Sequence, residues 1–175
     1  MKALIHKILY RTLPLEGYLR VVSRMFFLWQ RLGIGHYAPA TEYVYHLPQL
    51  VRPGDTAIDI GANLGYYART ISRLAGPAGC VYAVEPVAPI RKVLSRNLRR
   101  CANAEIVPYA LGTENKPITM ANDSARETGY FGTGQNFVND GGQKAAAEFT
   151  AQMRRGSELF GKLERLDFVK CDIEG

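Results

Sequence analysis

The sequence lacks several features that would assign it to a common class of protein. Its three cysteines, Cys80, Cys101 and Cys171, form no Cys-x-x-Cys pair and have no histidine at metal-ligand spacing. This pattern argues against a zinc site and predicts reduced, buried packing cysteines. No apolar run reaches the roughly 18 residues of a membrane-spanning helix, and Lys7 and Arg11 interrupt any signal-peptide core. A cytoplasmic protein with no bound metal is therefore expected.

Acidic residues are scarce at the front of the chain. Residues 1–36 carry six lysines and arginines against Glu16 alone, which accounts for +5 of the net charge of +6. The remainder is close to neutral, so the basic balance says little about the ligand of the main domain. No interleaving of aromatic and basic residues accompanies the predicted site described below, and nucleic acid is not an expected partner.

Apolar residues recur at helical spacing over residues 3–13 and 15–33, with Pro14 between the two stretches. The pattern predicts two amphipathic helices in an extension, residues 1–50, ahead of a main domain over residues 51–175. The favoured interpretation is packing against that domain or against a second subunit in a homo-oligomer. The alternative is a basic element, residues 1–32, that contacts a membrane surface. A further short helix is expected over residues 40–50, with Thr41 as its N-cap.

Strands and helices alternate after the Pro53-Gly54 turn. The predicted elements are strand 56–60, helix 64–74, strand 80–84, helix 88–100 and strand 105–108. Strands separated by helices of this length indicate parallel βαβ units with right-handed crossovers. The sequence thus predicts an α/β fold with a mostly parallel sheet flanked by helices.

The predicted alternation of parallel strands and helices ends after Gly112. Residues 116–120 are predicted as an antiparallel strand, and residues 121–143, rich in Gly and Asn, as either a mobile surface loop or a lid over the strand ends. Helices are expected over 144–153 and 157–163, followed by an apolar parallel strand over 166–171. A sheet of only four parallel strands is small, so the chain is expected to be the front part of a longer domain.

The stretch DTAIDIGANLG, residues 55–65, joins an apolar strand to a turn that opens a helix. Gly61 and Gly65 allow a backbone to approach a ligand where a Cβ would collide, and the helix start at Leu64 offers unpaired N–H groups. Asp59 places a carboxylate at the end of the first strand. Glu85 ends the second strand about 20 residues after Gly65, the spacing at which an acid accepts the hydroxyls of a ribose.

Two cofactors suit a strand–turn–helix of this kind. A dinucleotide site would show GxGxxG, but Asn63 replaces the middle glycine here and Tyr66 replaces the third. S-adenosylmethionine has no pyrophosphate and carries a cationic sulfonium and ammonium, so it has a use for an acid such as Asp59. The pattern favours S-adenosylmethionine over NAD, and an NAD-dependent oxidoreductase is the less favoured alternative.

Four segments in order, VRPGDTAIDIGANLGYYA, VYAVEP, IVPYALG and LDFVKCDIEG, closely resemble the FkbM-type class I methyltransferases. The resemblance covers roughly residues 51–175 and implies a Rossmann-like, mostly parallel sheet between helices. It implies that the methionine portion of S-adenosylmethionine contacts the first motif and the ribose contacts Glu85. The adenine would be flanked by the segment 109–111, and the methyl group and acceptor would lie near Asp172. The implied cofactor-binding residues are Asp59, Gly61, Ala62, Asn63, Gly65, Glu85, Pro86, Tyr109, Ala110, Leu111 and Asp172.

The resemblance also implies the reaction. Members are mostly known or presumed O-methyltransferases, with sugars and natural-product hydroxyls among their substrates, so the expected activity is methylation of a small-molecule or saccharide hydroxyl. Asp172 is the first candidate for the general base and Glu174 the second. Asp172 could instead only bind ligand, and Glu174 could cap a following helix. Because the resemblance stops within the family's domain, the alternative is a truncated or non-catalytic S-adenosylmethionine-binding fragment.

Overall fold

Two four-stranded sheets and seven helices make up the part of the chain that the computed structural model describes, which is residues 2–34, 43–141 and 144–173. The helices are α1 (Lys2–Thr12), α2 (Leu15–Arg31), α3 (Tyr43–Leu50), α4 (Ala68–Ala75), α5 (Ala88–Leu98), α6 (Ser124–Thr128) and α7 (Gly156–Phe160). The strands are β1 (Thr56–Ile60), β2 (Cys80–Val84), β3 (Ala104–Val107), β4 (Ala110–Gly112), β5 (Lys116–Asn122), β6 (Phe137–Val138), β7 (Ala147–Arg155) and β8 (Phe168–Cys171).

The first sheet is wholly parallel, with strand order β3-β2-β1-β8. The predicted α/β class with a parallel sheet and flanking helices is therefore confirmed. Strands β1 and β2 have the predicted bounds, because each is a short apolar run closed at both ends by turn residues. The carboxyl ends of β1, β2 and β8 lie side by side, since Ile60 pairs with both Val84 and Cys171.

The helix after β1 begins later than predicted. Helix α4 starts at Ala68 rather than at residue 64, and residues 63–67 form turns. Asn63 and Gly65 have φ angles of 52° and 89°. Both angles are left-handed, and a right-handed helix cannot include such residues. The chain therefore leaves β1 through an extended turn, which becomes part of the candidate site.

Helices cover both faces of the first sheet. On one face, Ile71 of α4 and Leu94 of α5 pack on Ala57, Val81 and Ala83 of the strands. On the other face, Ile58, Val84 and Val107 pack against α7 and the residues that follow it. The rings of Tyr82 and Phe160 meet edge to face there, with centroids 5.5 Å apart. A parallel sheet needs this cover on both faces because its strands are apolar on both sides.

Both predicted N-terminal helices are present, and α2 packs against α5. Tyr18 and Leu19 are completely buried in a cluster with Ile90 and Val93 of α5. The Tyr18 hydroxyl donates to the carbonyl of Phe131, 3.0 Å away. The membrane-surface interpretation of residues 1–32 stays a prediction. Helix α1 does expose Leu4, and no helix in the described ranges is long and apolar enough to cross a membrane.

The second sheet has strand order β4-β7-β5-β6, and β5 runs antiparallel to both of its neighbours, as predicted. The predicted helix over 144–153 is wrong, because β7 occupies that part of the chain. Its alternate residues Ala147, Phe149, Ala151 and Met153 turn inward while the residues between them are exposed. Strand β7 pairs with β5 over seven consecutive residues and buries every second side chain at least in part. These contacts outweigh the helix propensity of the alanine-rich sequence.

The Gly/Asn-rich segment is partly buried over its described residues, 121–141. Phe131 is buried, and Asn122 is completely buried at the end of β5. The Asn122 side-chain amide donates to the carbonyl of Gly132 at 2.8 Å and to Oδ1 of Asn136 at 3.0 Å. The described part of the segment is thus tied to the end of β5 by partly buried side-chain hydrogen bonds, while residues 126–127 and 134–135 are exposed. Residues 142–143 lie outside the described residues.

The three cysteines are not all buried, contrary to the prediction from the sequence. Cys80 and Cys101 are partly buried free thiols, but Cys171 is exposed, so burial was wrong for that cysteine. Cys171 lies on β8, which has a strand neighbour on only one side in the described sheet. The predicted N-cap Thr41 lies outside the described residues.

Candidate functional site

A cleft of about 410 Å³ lies between the two sheets, at the carboxyl ends of β1, β2 and β8. The first sheet contributes the turn after β1, Glu85 after β2 and Asp172 after β8. The second sheet contributes apolar side chains, Met120 and Met153 among them. Open α/β sheets bind ligands outside the carboxyl ends of their strands, so the cleft occupies the expected position for a ligand site.

Gly61 makes the close approach between β1 and β8 possible. Its φ angle is 75°, and a Cβ at this position would overlap the carbonyl oxygen of Asp172. The turn is anchored to β2, because the N–H groups of Gly61 and Ala62 donate to the carbonyl of Val84 at 3.1 and 2.9 Å. Only glycine satisfies both the left-handed angle and the contact.

Glu85 is a buried acid held by backbone donors. Its Oε2 accepts from the N–H of Asn63 at 3.0 Å, and its Oε1 accepts from the N–H of Val87 at 2.8 Å. Burial raises the pKa of Glu85 to about 7, although the two backbone donors and Arg91 oppose the shift. Each carboxylate oxygen accepts one of these bonds and keeps a lone pair for a ligand on the cleft side.

Asp59 lies behind the cleft and is paired with a lysine that the sequence reasoning missed. Its side chain is completely buried, and Oδ1 is 3.3 Å from Nζ of Lys170 on β8. Burial raises the pKa of Asp59 above its ordinary value, and the ammonium of Lys170 opposes this effect. Lys170 interrupts an apolar strand, and a charge in such a strand needs a partner. The lysine within this apolar run was therefore a sign of a buried ion pair, but the sequence did not show that its partner is Asp59.

The structure brings most of the predicted site residues together. Those that line the cleft are Gly61, Asn63, Glu85, Pro86, Tyr109, Ala110, Leu111 and Asp172. Asp59, Ala62 and Gly65 are buried behind it, where Gly65 packs against Leu94 of α5. Glu174 lies outside the described residues, and the described residues contain no group of three or more His, Cys, Asp or Glu side chains that could hold a metal ion.

The second sheet forms one wall of the cleft, in which residues 110–111 of β4 were predicted site residues and strands β5 and β7 were not. Met120 on β5, Val138 on β6 and Met153 on β7 give it an apolar surface. Thr133 and Asn136, from the Gly/Asn-rich segment, line the same cleft. The alternation of apolar residues along 147–153 was the signal for β7, but nothing local indicated that this sheet faces the DTAIDIGANLG turn.

Parts of this chain are similar in sequence to proteins of known function. A protein-L-isoaspartate O-methyltransferase of Aeropyrum pernix is 30% identical over 87 residues, which cover 49% of this chain and 34% of that protein. The antimetabolite synthetase AmbE of Pseudomonas aeruginosa is 26% identical over 164 residues, which cover 75% of this chain and 8% of AmbE. The chain therefore spans about a third or less of the length of these curated relatives.

Solved structures with a similar arrangement include Aeropyrum pernix fibrillarin, crystallised with natively bound S-adenosyl-L-methionine. It is 26% identical with a TM-score of 0.34, and the match covers 35% of this chain and 26% of that one. An S-adenosylmethionine-dependent O-methyltransferase of Thermotoga maritima is 22% identical with a TM-score of 0.35, covering 41% and 28% of the two chains.

The methyltransferase FkbM domain model matches residues 59–175, from the buried acid of β1 to the DIEG motif. The match includes three of the four segments on which the sequence resemblance depends, and the part of the first from Asp59 onward. It covers more than half of the chain and confirms the resemblance. The chain belongs to the FkbM methyltransferase domain family.

Proposed function

We propose that this protein binds S-adenosylmethionine in the cleft between its two sheets and transfers the methyl group to a hydroxyl of a small molecule or saccharide. The single observation that carries the proposal is the position of the cleft in a chain of this family. It lies where the turn after β1, the acid after β2 and Asp172 after β8 converge.

The residues present fit this cofactor. The cleft of about 410 Å³ falls within the range of roughly 300–1,000 Å³ typical of small-molecule sites. The side-chain oxygen of Asn63 is buried and has no hydrogen-bond partner among the described residues, although Asn63 lines the cleft. An unpaired buried acceptor is costly unless a ligand donates to it. The donors available on S-adenosylmethionine include an ammonium and two ribose hydroxyls.

Each part of the cofactor has residues suited to hold it. Glu85 would accept the ribose hydroxyls, while Pro86 and residues 109–111 would pack against the adenine. Residues 61–63 of the turn and Asp172 would lie beside the methionine portion. When bound, S-adenosylmethionine supplies an electrophilic methyl group on a sulfonium.

The remaining work of the site is to position an acceptor and to take its proton. Alignment of two reactants supplies most of the rate enhancement in a displacement of this kind. Asp172 has a side chain that is 79% exposed and lines the cleft, so its carboxylate can reach the proton of an acceptor hydroxyl. The apolar wall of Met120, Val138 and Met153 would contact the body of the acceptor and exclude water from it.

Titration calorimetry on the full chain tests the proposal. S-adenosylmethionine is expected to bind with a micromolar Kd, and Glu85→Gln is expected to weaken binding about tenfold or more because an ionised acceptor is lost. Lys92→Met, an exposed change on α5, is the matched control. Absence of S-adenosylmethionine binding together with binding of NAD would sink the proposal and favour an oxidoreductase.

A methyl-transfer assay with labelled cofactor and a panel of hydroxylated small molecules and saccharides then tests the reaction. Transfer to oxygen that is lost in Asp172→Asn, with the Kd for the cofactor unchanged, supports Asp172 as the base. Binding without transfer to any acceptor would instead favour a non-catalytic S-adenosylmethionine-binding chain.

A further inference from the structure

We propose that Lys170 is a positioning residue, which holds the cofactor-binding turn after β1 in place from behind without touching the ligand. The inference rests on the proposed function for the identity of the ligand that the turn binds. The contacts of Lys170 with the turn do not depend on that function. Neither Lys170 nor any pairing between β8 and the turn entered the sequence-based assignment of the site.

The ammonium of Lys170 contacts three parts of the chain. It donates to the carbonyl of Gly61 at 3.2 Å and approaches that of Ile60 at 3.5 Å. Its distances to the carboxylate oxygens of Asp59 and Asp172 are 3.3 and 3.6 Å. It also lies 4.9 Å from the centre of the Tyr67 ring. One side chain thus links the end of β1, the end of β8 and the segment that leads into α4.

These contacts do more than neutralise Asp59. Ion pairing with a buried carboxylate would need only one of them, but Lys170 also binds the carbonyl of Gly61, a residue that lines the cleft. The side chain is only 14% exposed, so the bonds form away from bulk water, where they are stronger. Backbone contact between the turn and Asp172 is also tight at Gly61, where an added Cβ would overlap the Asp172 carbonyl.

The comparison that isolates Lys170 uses an Asp59→Asn background. Lys170→Met alone would leave Asp59 buried without its cation, and the resulting loss of stability would hide any local effect. Asp59→Asn and the double variant Asp59→Asn/Lys170→Met differ only in the lysine, and neither leaves a buried carboxylate unpaired at position 59. Asp59→Asn/Lys170→Arg tests rescue by another cation, and Lys92→Met controls for the loss of a surface lysine.

Hydrogen exchange in the free protein gives a readout that does not depend on the cofactor. The N–H groups of Gly61, Ala62 and Asn63 are all hydrogen-bonded across the turn, to Val84 or to Glu85. In the double variant their exchange is expected to become about tenfold faster than in Asp59→Asn, with Val81 and Ala83 in β2 unchanged as an internal reference. The arginine variant should recover part of the protection.

Calorimetry with S-adenosylmethionine on the same variants gives the functional readout. The Kd in the double variant is expected to rise about tenfold over Asp59→Asn, with Tm within a few degrees. Equal exchange and equal Kd in these two variants would overturn the inference and leave Lys170 as a partner of Asp59 only. Failure of the wild-type chain to bind the cofactor would sink the proposed function, while the exchange data would still decide the role of Lys170.

Discussion

Glu85 illustrates how one residue depends on its surroundings for its chemistry. The sequence predicts an acid at the end of the second strand, and the structure adds that this acid is only 5% exposed. Burial in the wall of the cleft raises its pKa to about 7, against the opposing effect of two backbone donors and Arg91. The group therefore changes charge near neutral pH, and the affinity of the site should change with it.

Stability should fall as pH rises through the range between the two pKa values of Glu85. The folded pKa of about 7 lies above the ordinary value of 4.5, so the folded state binds more protons than the unfolded state from about pH 4.5 to 7. The stability that the protonated group contributes is fully present below pH 4.5 and is lost as pH rises through 7. The loss is at most about 3 kcal/mol.

Urea unfolding of the wild-type protein and Glu85→Gln at pH 5 and pH 8 measures this effect. The wild-type protein should lose more stability than the variant between the two pH values. Affinity for S-adenosylmethionine should change in the opposite direction, because the ionised carboxylate is the better acceptor. Parallel pH profiles for the two proteins would contradict the raised pKa.

Gly61→Ala should destabilise the protein more than Gly54→Ala does. Both glycines have left-handed φ angles, 75° and 88°, so both substitutions carry conformational strain of about 1–2 kcal/mol. Only at Gly61 does the new Cβ also overlap the Asp172 carbonyl, whereas Gly54 has open space around it. The excess at Gly61, about 1–3 kcal/mol by analogy with overpacked sites, is measured by chemical denaturation. Equal losses of stability at the two positions would show that β8 can shift away from the new Cβ without loss of stability.

At the scale of elements, β7 is the clearest case in which local preference and observed structure differ. Its sequence, AEFTAQMRR, contains good helix formers, yet it pairs with β5 on one side and β4 on the other. It pairs with β5 over residues 147–153 and with β4 over residues 153–155, and its alternate side chains turn inward. The energy of those contacts exceeds the few tenths of a kcal/mol per residue by which helix propensities differ.

Neighbouring substitutions on β7 should have very different effects. Ala151 is 7% exposed and Gln152 is exposed. Ala151→Asp buries a carboxylate without a partner and should cost about 2–4 kcal/mol, whereas Gln152→Asp should cost less than about 0.5 kcal/mol. Urea unfolding of the two variants measures the difference. Similar losses at both positions would be inconsistent with a strand whose faces alternate.

At the scale of the whole molecule, the N-terminal helices are part of the same core as the site. Tyr18 of α2 packs with Ile90 and Val93 of α5, and its hydroxyl reaches the Phe131 carbonyl beside the second sheet. The hydroxyl also contacts Nδ1 of His6 at 2.9 Å. Burial raises the pKa of Tyr18, which keeps the hydroxyl protonated as a donor. The helices thus tie the first sheet to the wall of the cleft.

Removal of this hydroxyl should destabilise the whole chain. Tyr18→Phe leaves the buried Phe131 carbonyl without its donor and should cost about 1–3 kcal/mol. Tyr43→Phe, at a side chain that is 64% exposed, is the control and should cost less than about 0.5 kcal/mol. Thermal unfolding followed by circular dichroism measures both. A single cooperative transition is expected for Tyr18→Phe, and separate melting of the helices would contradict a shared core.

The sequence by itself determined the features that depend on neighbours along the chain. These are the two N-terminal helices, strands β1 and β2, the glycine turn and the acid that follows β2, because apolar periodicity and turn chemistry are local. Tertiary structure alone decided which distant segments meet. Lys170 lies 111 positions from Asp59, and β7 reaches the cleft through its pairing with β5 and β4. Such contacts depend on three-dimensional packing, and no local pattern in the sequence records them.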